Sequence, residues 1–394
     1  MNNNLSHHLM VLEGGNPAFK QKVHVGRPNI GSREKLMKRI EDILDRRWLS
    51  NDGVYVREFE AEVARRLGAS ECVAVCNGTV GLEIATRALN MKGDVVVPSW
   101  TFIATPHSLQ WQGLSPIFCD VEESHNICPR SLEAALDSRC GGIVGVHLWG
   151  RPARVYDVAE VAKNAGVPLV WDASHALGTC VDGKAIGNFG DAEVFSFHAT
   201  KIANAFEGGL VATNNCDLAQ KMRLMRNFGF AGYDDVVYNG TNGKMNEVCG
   251  AMGLTSLESL DEFISINRRN YAIYLERLNG LPGVDVLIHD EENSNFQYVV
   301  TQWNEESPLS RDEMMQVLWA ENIMARRYFW PGCHAMRIYK DTAVRVPLPF
   351  TEKLAAQVLV LPTGTALDAN DIHIICDVIR TAYERAGDIK KCLF

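Results

Sequence analysis

The chain has no excess of positive charge: Lys plus Arg number 39 against 48 for Asp plus Glu, and the net charge is −9. That sign excludes a protein that coats nucleic acid, and it requires any anionic ligand to meet a locally positive site. Long apolar runs are missing as well. No stretch reaches the roughly eighteen consecutive apolar residues of a membrane-crossing helix, so no membrane partner is expected. Met1–Gly15 carries neither a basic start nor a continuous apolar run, which makes the cytoplasm the expected location. Neither GxGxxG nor GxxxxGK[ST] occurs, which disfavours dinucleotide and P-loop sites. Repeats and low-complexity tracts are absent too.

What is there suits a large soluble protein. At 394 residues the chain exceeds any peptide-sized module and predicts two or three domains, at about 150 residues each. Hydrophobic residues make up 46% and charged residues 22%, enough to bury a core and a cofactor. The eleven cysteines are odd in number and scattered. The one close pair, Cys72 and Cys76, has the even spacing of one face of a buried strand, and no second pair or histidine cluster nearby points to a metal. Free thiols in a reducing compartment are expected.

From Glu71 to about Leu210, short apolar runs rich in β-branched residues alternate with helical patterns: CVAVC, DVVVP, SPIFCDV, GGIVGVHLWG, PLVWDA and AEVFSFH. This is the signature of βαβ units and a mostly parallel sheet. Ser32–Arg47 and Val54–Leu67 have helical spacing on either side of the turn-like Ser50-Asn51-Asp52-Gly53. Asn246–Leu278 predicts one long or kinked helix between domains. Beyond it, a strand is expected over Phe296–Trp303, a helix over Ser310–Ala320 and a terminal helix over Asp368–Ala386. The domain division is therefore a lead-in over 1–30, a large α/β domain with its connecting helix over 31–265, and a smaller α+β domain over 266–394.

Three elements carry chemistry. At Cys76-Asn77-Gly78-Thr79 a buried strand turns through Gly78 into a helix, where free backbone N–H groups, the helix dipole and the Thr79 hydroxyl suit a phosphate; Thr79 also reads as a simple helix cap. Asp172 ends the run Pro168-Leu169-Val170-Trp171 and points into the crevice at the sheet's carboxyl edge, where it needs a cationic partner such as a protonated ring nitrogen, unless it caps a helix. Lys201 sits between the strand-like Phe195-Ser196-Phe197 and the Gly208-Gly209 pair, enclosed enough for its amine to become nucleophilic, unless it lies on an exposed loop. A phosphate, a pyridine nitrogen and an aldehyde carbon are the three handles of pyridoxal 5′-phosphate (PLP).

In these motifs the sequence resembles the DegT/DnrJ/StrS family of sugar aminotransferases. NGTVGLEIA, VVPSWTFIATPHSL, DASHALGT, FSFHATK, FEGG and GTNGKM carry the likeness, which runs from about Val25 to Arg380. The resemblance implies the fold-type I architecture of PLP enzymes, with a mostly parallel sheet flanked by helices and a smaller C-terminal α+β domain. It makes Lys201 the Schiff-base lysine and Asp172 the partner of the pyridine nitrogen. Gly78, Thr79 and Ser196 hold the phosphate, His175 stands near the phenolic oxygen, and Phe102 stacks on the ring. Phe102 and Trp100 also read as plain core. Asn242, otherwise a turn residue, falls where the family reaches a phosphate across a homodimer interface, giving composite active sites.

The resemblance also implies L-glutamate as amino donor and a nucleotide-linked keto sugar as acceptor. WLSNDGVYVREFE, GVHLWGRP, FHATKIANAFEGG, YFWPGCH and LPTGT resemble the branch that aminates carbon 4 of dTDP-4-keto-6-deoxy-D-glucose. The alternatives are another keto sugar, 3-keto or GDP-linked, and a PLP-binding regulator without turnover. A dehydratase branch with histidine in place of the lysine is disfavoured by Lys201. Ala199, Phe206 and Lys244 depart from the broader family pattern of proline, another residue and arginine. Tyr328 and His334 fall in the segment that contacts the sugar, and Arg326, Arg327 and Lys244 are the candidate cations for the substrate diphosphate.

Overall fold

The computed structural model describes residues 10–342 and 344–393; the first nine residues of the expected lead-in, with Ala343 and Phe394, lie outside the described residues. Each β-branched run becomes a strand of one sheet: β1 (Glu71–Val75), β2 (Asp94–Pro98), β3 (Ser115–Cys119), β4 (Cys140–Val146), β5 (Leu169–Asp172) and β6 (Ala192–Ser196), joined by β7 (Gly209–Thr213). The spatial order is β1-β7-β6-β5-β4-β2-β3. Strand β7 runs antiparallel to both of its neighbours, and every other pairing is parallel. Helices cover both faces, which is why the strands read as continuous apolar runs: all four residues of β5 are buried.

Helices α1 (Arg33–Arg46) and α2 (Val54–Leu67) form as their spacing predicts, and α3 (Gly78–Ala88) follows β1 directly. The long helical pattern divides into Glu247–Glu258 and Leu260–Leu278, broken at Ser259. Along these helices the core changes. Leu257, Leu260 and Phe263 pack beneath the large sheet, whereas Tyr271, Tyr274 and Leu278 belong to the core of a second, three-stranded antiparallel sheet, and Ile264 touches both. That second sheet orders Val284–Val286, Val299–Trp303 and Val358–Leu361.

Several boundaries differ from the sequence reading for local reasons. The strand expected from Phe296 begins at Val299, because Phe296 takes a left-handed φ of 52° that extended pairing does not allow. The terminal helix spans Ala369–Glu384, opened by a capping box between Asp368 and Asp371, and a separate helix follows over Ala386–Leu393. The described part of the lead-in is tied to the C-terminal body: Val23–His24 pairs in parallel with Ile323–Met324, and Met10 and Val23 enter its core.

Candidate active site

The carboxyl ends of β1, β5 and β6 and the starting end of β7 meet at one edge of the sheet. At β1 the chain turns through Asn77, whose Oδ1 accepts the Val80 N–H at 2.9 Å and caps α3. The cap is therefore Asn77, and the reading of Thr79 as the cap is corrected: Thr79 lies within the first turn of α3, lining the cavity. The first-turn N–H groups of Gly78 and Thr79 have no carbonyl one turn back to bond, which leaves them for an anion. Strand β7 passes tightly beneath this turn. A Cβ on Gly209 would stand 2.4 Å from the Asn77 carbonyl carbon and 2.6 Å from the Gly78 nitrogen, so only glycine fits. A Cβ on Gly78 would reach 3.3 Å from the Ser196 Cβ, which sets the Ser196 side chain beside the same turn.

Asp172 ends β5 and is buried. Its Oδ2 accepts the Thr105 hydroxyl at 2.8 Å, and its Oδ1 accepts the Ser174 N–H at 3.1 Å. No helix follows, so Asp172 is not a helix cap but an oriented carboxylate facing the cavity. Lys201 lies opposite, on a loop closed by the Phe197 N–H to Gly208 carbonyl bond at 2.8 Å and the Ala205 N–H to Phe197 carbonyl bond at 2.8 Å. Asn29 supports that loop from outside: its Nδ2 donates to the Ile202 carbonyl at 2.9 Å, its carbonyl accepts from Asn204 Nδ2 at 2.8 Å, and its Oδ1 accepts the Thr365 N–H at 3.0 Å. Burial lowers the Lys201 ammonium from its ordinary value to about 8, partly offset by the attraction of Asp172.

The far wall is aromatic. The Trp149 N–H donates to His175 Nδ1 at 3.3 Å, and His175 Nε2 is 3.3 Å from the Tyr298 hydroxyl. Trp149 itself holds a left-handed φ of 63°, and its ring stacks on Phe329 at 5.2 Å and lies nearly parallel to His175 at 6.1 Å. Burial, reinforced by the nearby Lys201 charge, lowers the His175 pKa well below the ordinary histidine value, so the ring is neutral. His175, Tyr298 and Phe329, with Trp149 packed behind them, join Phe102, Tyr328 and His198 around a cavity of about 560 Å³, a size that suits a cofactor together with part of a second ligand.

A family model described as the DegT/DnrJ/EryC1/StrS aminotransferase family matches residues 31–380. The chain belongs to this family. It is a nucleotide-sugar aminotransferase with a deoxysugar-biosynthetic kinship. A dTDP-4-amino-4,6-dideoxy-D-glucose transaminase of Shigella dysenteriae is 32% identical over 364 residues, covering 92% of this chain and 99% of its own. A GDP-perosamine synthase of Vibrio cholerae is 29% identical over 372 residues, covering 92% and 99%. Among solved structures, that of DesI in the presence of its TDP-sugar product shares 47% sequence identity at a TM-score of 0.93, covering 97% of this chain and 98% of that one.

For this DegT/DnrJ/EryC1/StrS member, the cavity gathers Gly78, Thr79, Phe102, Asp172, His175, Ser196, Lys201 and Tyr328. Two expected residues stand elsewhere. Asn242 lies on an exposed loop, its Oδ1 accepting from Lys244 Nζ at 2.6 Å, and it does not line its own chain's cavity. His334 is held by Ser99, with Nδ1 2.6 Å from the Ser99 Oγ, beside the wall rather than in it. Of the candidate cations, Arg327 is 3.1 Å from Asp312 and its guanidinium lies over the Trp330 ring at 4.4 Å, while Lys244 lies over Phe228 at 4.7 Å. Exposed Arg326 lies over Tyr328 at 5.1 Å, next to the cavity wall. Thr105, Trp149, Tyr298, His198 and Glu207 were not singled out by the sequence. Asn77 alone had a readable signal, a capping residue directly before a helical pattern.

Among the described residues, no group of His, Cys, Asp and Glu is arranged to hold a metal, and no helix is long and apolar enough to cross a membrane.

Proposed function

We propose that the protein binds PLP and transfers the amino group of L-glutamate to carbon 4 of dTDP-4-keto-6-deoxy-D-glucose, giving dTDP-4-amino-4,6-dideoxy-D-glucose. The observation that carries the sugar assignment is the 47% identity, over 97% of the chain, with DesI and its TDP-sugar product. The Shigella relative acts on the same amino sugar by its name.

The donors and acceptors at the sheet edge match PLP handle by handle. The N–H groups of Gly78 and Thr79, with the hydroxyls of Thr79 and Ser196, receive the phosphate without a net positive surface. Asp172, oriented by Thr105 and Ser174, accepts the ring nitrogen's proton in a hydrogen bond and favours the protonated ring. When bound, PLP supplies the electron sink that lets an amino group pass between two carbon skeletons. Lys201, with its pKa lowered to about 8 by burial, is the residue that would hold the cofactor's aldehyde carbon as a neutral amine and that would move a proton at the reacting carbon. The aromatic wall excludes water from that proton path.

The protein acts as a cytoplasmic homodimer in this reading. The loop that carries Asn242 also exposes Phe228, Phe230, Tyr233, Val236 and Val237, an apolar group that a second copy of the chain would cover. Asn242 then serves the phosphate site of the other subunit.

The GDP-perosamine synthase relatives supply the second reading, a GDP-linked 4-keto sugar. Product analysis with PLP, L-glutamate and a panel of dTDP- and GDP-linked 3-keto and 4-keto sugars separates the two. Amination of the dTDP-4-keto sugar is expected; amination of the GDP-linked sugar alone would reject the first assignment, and no amination of any would reject both.

A further inference from the structure

The buried wall opposite the phosphate turn contains a proton whose direction can be worked out. A backbone N–H is always a donor, so the 3.3 Å contact from Trp149 N makes His175 Nδ1 an acceptor. A neutral imidazole that accepts at Nδ1 carries its proton at Nε2. His175 Nε2 therefore donates to the Tyr298 oxygen across 3.3 Å, and the Tyr298 O–H cannot point back at the histidine. The Gln297 side chain also faces this oxygen as a donor, no protein group among the described residues accepts its O–H, and the side chain lines the cavity with only 6% of its surface exposed. Its ring is fixed edge-on against Trp149 at 5.4 Å and against Tyr328 at 6.5 Å. A buried hydroxyl held in one orientation with its proton directed into a cavity is a preorganised donor.

The chemistry of PLP limits what this donor meets. With phosphate at the α3 turn, ring nitrogen at Asp172 and aldehyde carbon at Lys201, the polar atom that remains is the phenolic oxygen, on the ring side away from the phosphate arm, where the family resemblance puts His175 and where the histidine's partner Tyr298 also stands. We infer that the Tyr298 hydroxyl, held by His175 and Trp149, donates the hydrogen bond to the phenolic oxygen of PLP. His175 is then a positioning residue that orients Tyr298 rather than the group that touches the cofactor. This rests on the proposal that the protein binds PLP. Burial, with Tyr328 adjacent, also pushes the Tyr298 phenol well above its ordinary value, so it remains a donor throughout the working range.

A donor to the phenolic oxygen stabilises the form in which that oxygen bears the most negative charge, and so lowers the pH at which the bound cofactor loses its proton. The test uses the PLP-loaded protein, following its visible absorbance against pH. Wild type must first show a visible band that is absent from Lys201→Ala; without that band, the cofactor reading fails and the inference with it. In Tyr298→Phe the pH midpoint of the band is expected to rise by about one unit, the size of one charge-assisted hydrogen bond. Replacing Tyr298 by 3-fluorotyrosine, a stronger donor of nearly the same volume, is expected to move the midpoint down, and it serves if the phenylalanine variant does not fold. A normal band whose midpoint does not move with 3-fluorotyrosine, or with phenylalanine in a folded variant, would overturn the assignment of Tyr298 while leaving PLP binding intact.

Discussion

The reactivity of Lys201 depends on what surrounds its amine. Burial destabilises the ammonium, and Asp172 across the cavity partly restores it, leaving a value of about 8. Only the neutral amine attacks an aldehyde, so covalent capture of PLP by the cofactor-free protein is expected to accelerate as pH rises, with a midpoint near 8 rather than near the ordinary lysine value of about 10.4. Asp172→Asn removes the attraction that raises the pKa and should shift that midpoint below 8. Stopped-flow absorbance across pH measures both, and a midpoint near 10 in wild type would contradict the burial argument. Asp172 stood out in the sequence as a charged residue ending an apolar strand, whereas Lys201, on the loop beyond β6, stood out only in combination with the phosphate turn and Asp172 and through the family resemblance. Thr105, Trp149 and Tyr298 did not, because each is tied to a partner many residues away: Thr105 orients Asp172, Trp149 orients His175, and Tyr298 is oriented by His175.

Strand order decides which side chains reach the ligand edge. The β-branched runs announced the strands themselves, since each is buried on both faces and must be apolar throughout. The reversed direction of β7 carried no such signal; LVATN reads the same in either orientation. Yet that reversal is what brings Gly208 and Gly209 to the phosphate turn and places Glu207 at the cavity. Gly209→Ala would push its methyl group into the Asn77–Gly78 backbone, so overpacking should cost about 1–3 kcal/mol of stability and displace the N–H groups of α3. Thermal denaturation should show a lowered Tm, and PLP titration a weakened Kd. A variant with unchanged PLP affinity would show that the turn tolerates displacement or that it does not hold the phosphate. The sequence allowed a kink within Asn246–Leu278 but not its place at Ser259, because apolar spacing continues across that residue while the core it serves changes.

The proposed dimer makes a prediction that needs two kinds of chain in one particle. Lys201→Ala and Asn242→Ala are each expected to be nearly inactive alone. If Asn242 serves the other subunit, co-folding the two variants forms a mixed dimer in which one site has both its own Lys201 and the Asn242 of the second chain. About a quarter of wild-type activity should then return, as expected when half the dimers are mixed and each holds one intact site. No recovery in a demonstrated mixed dimer would confine Asn242 to its own chain or remove it from the site. Connections over long sequence distances also govern how the molecule is made. Asn29 joins the Lys201 loop to Thr365, near the opposite end of the chain, so three segments far apart in sequence must meet before that loop is fixed. A ribosome delivers residue 365 long after residue 201. The loop bearing the reactive lysine thus waits, incompletely braced, through most of the second half of translation, and cofactor loading belongs to the nearly finished polypeptide rather than to the nascent one.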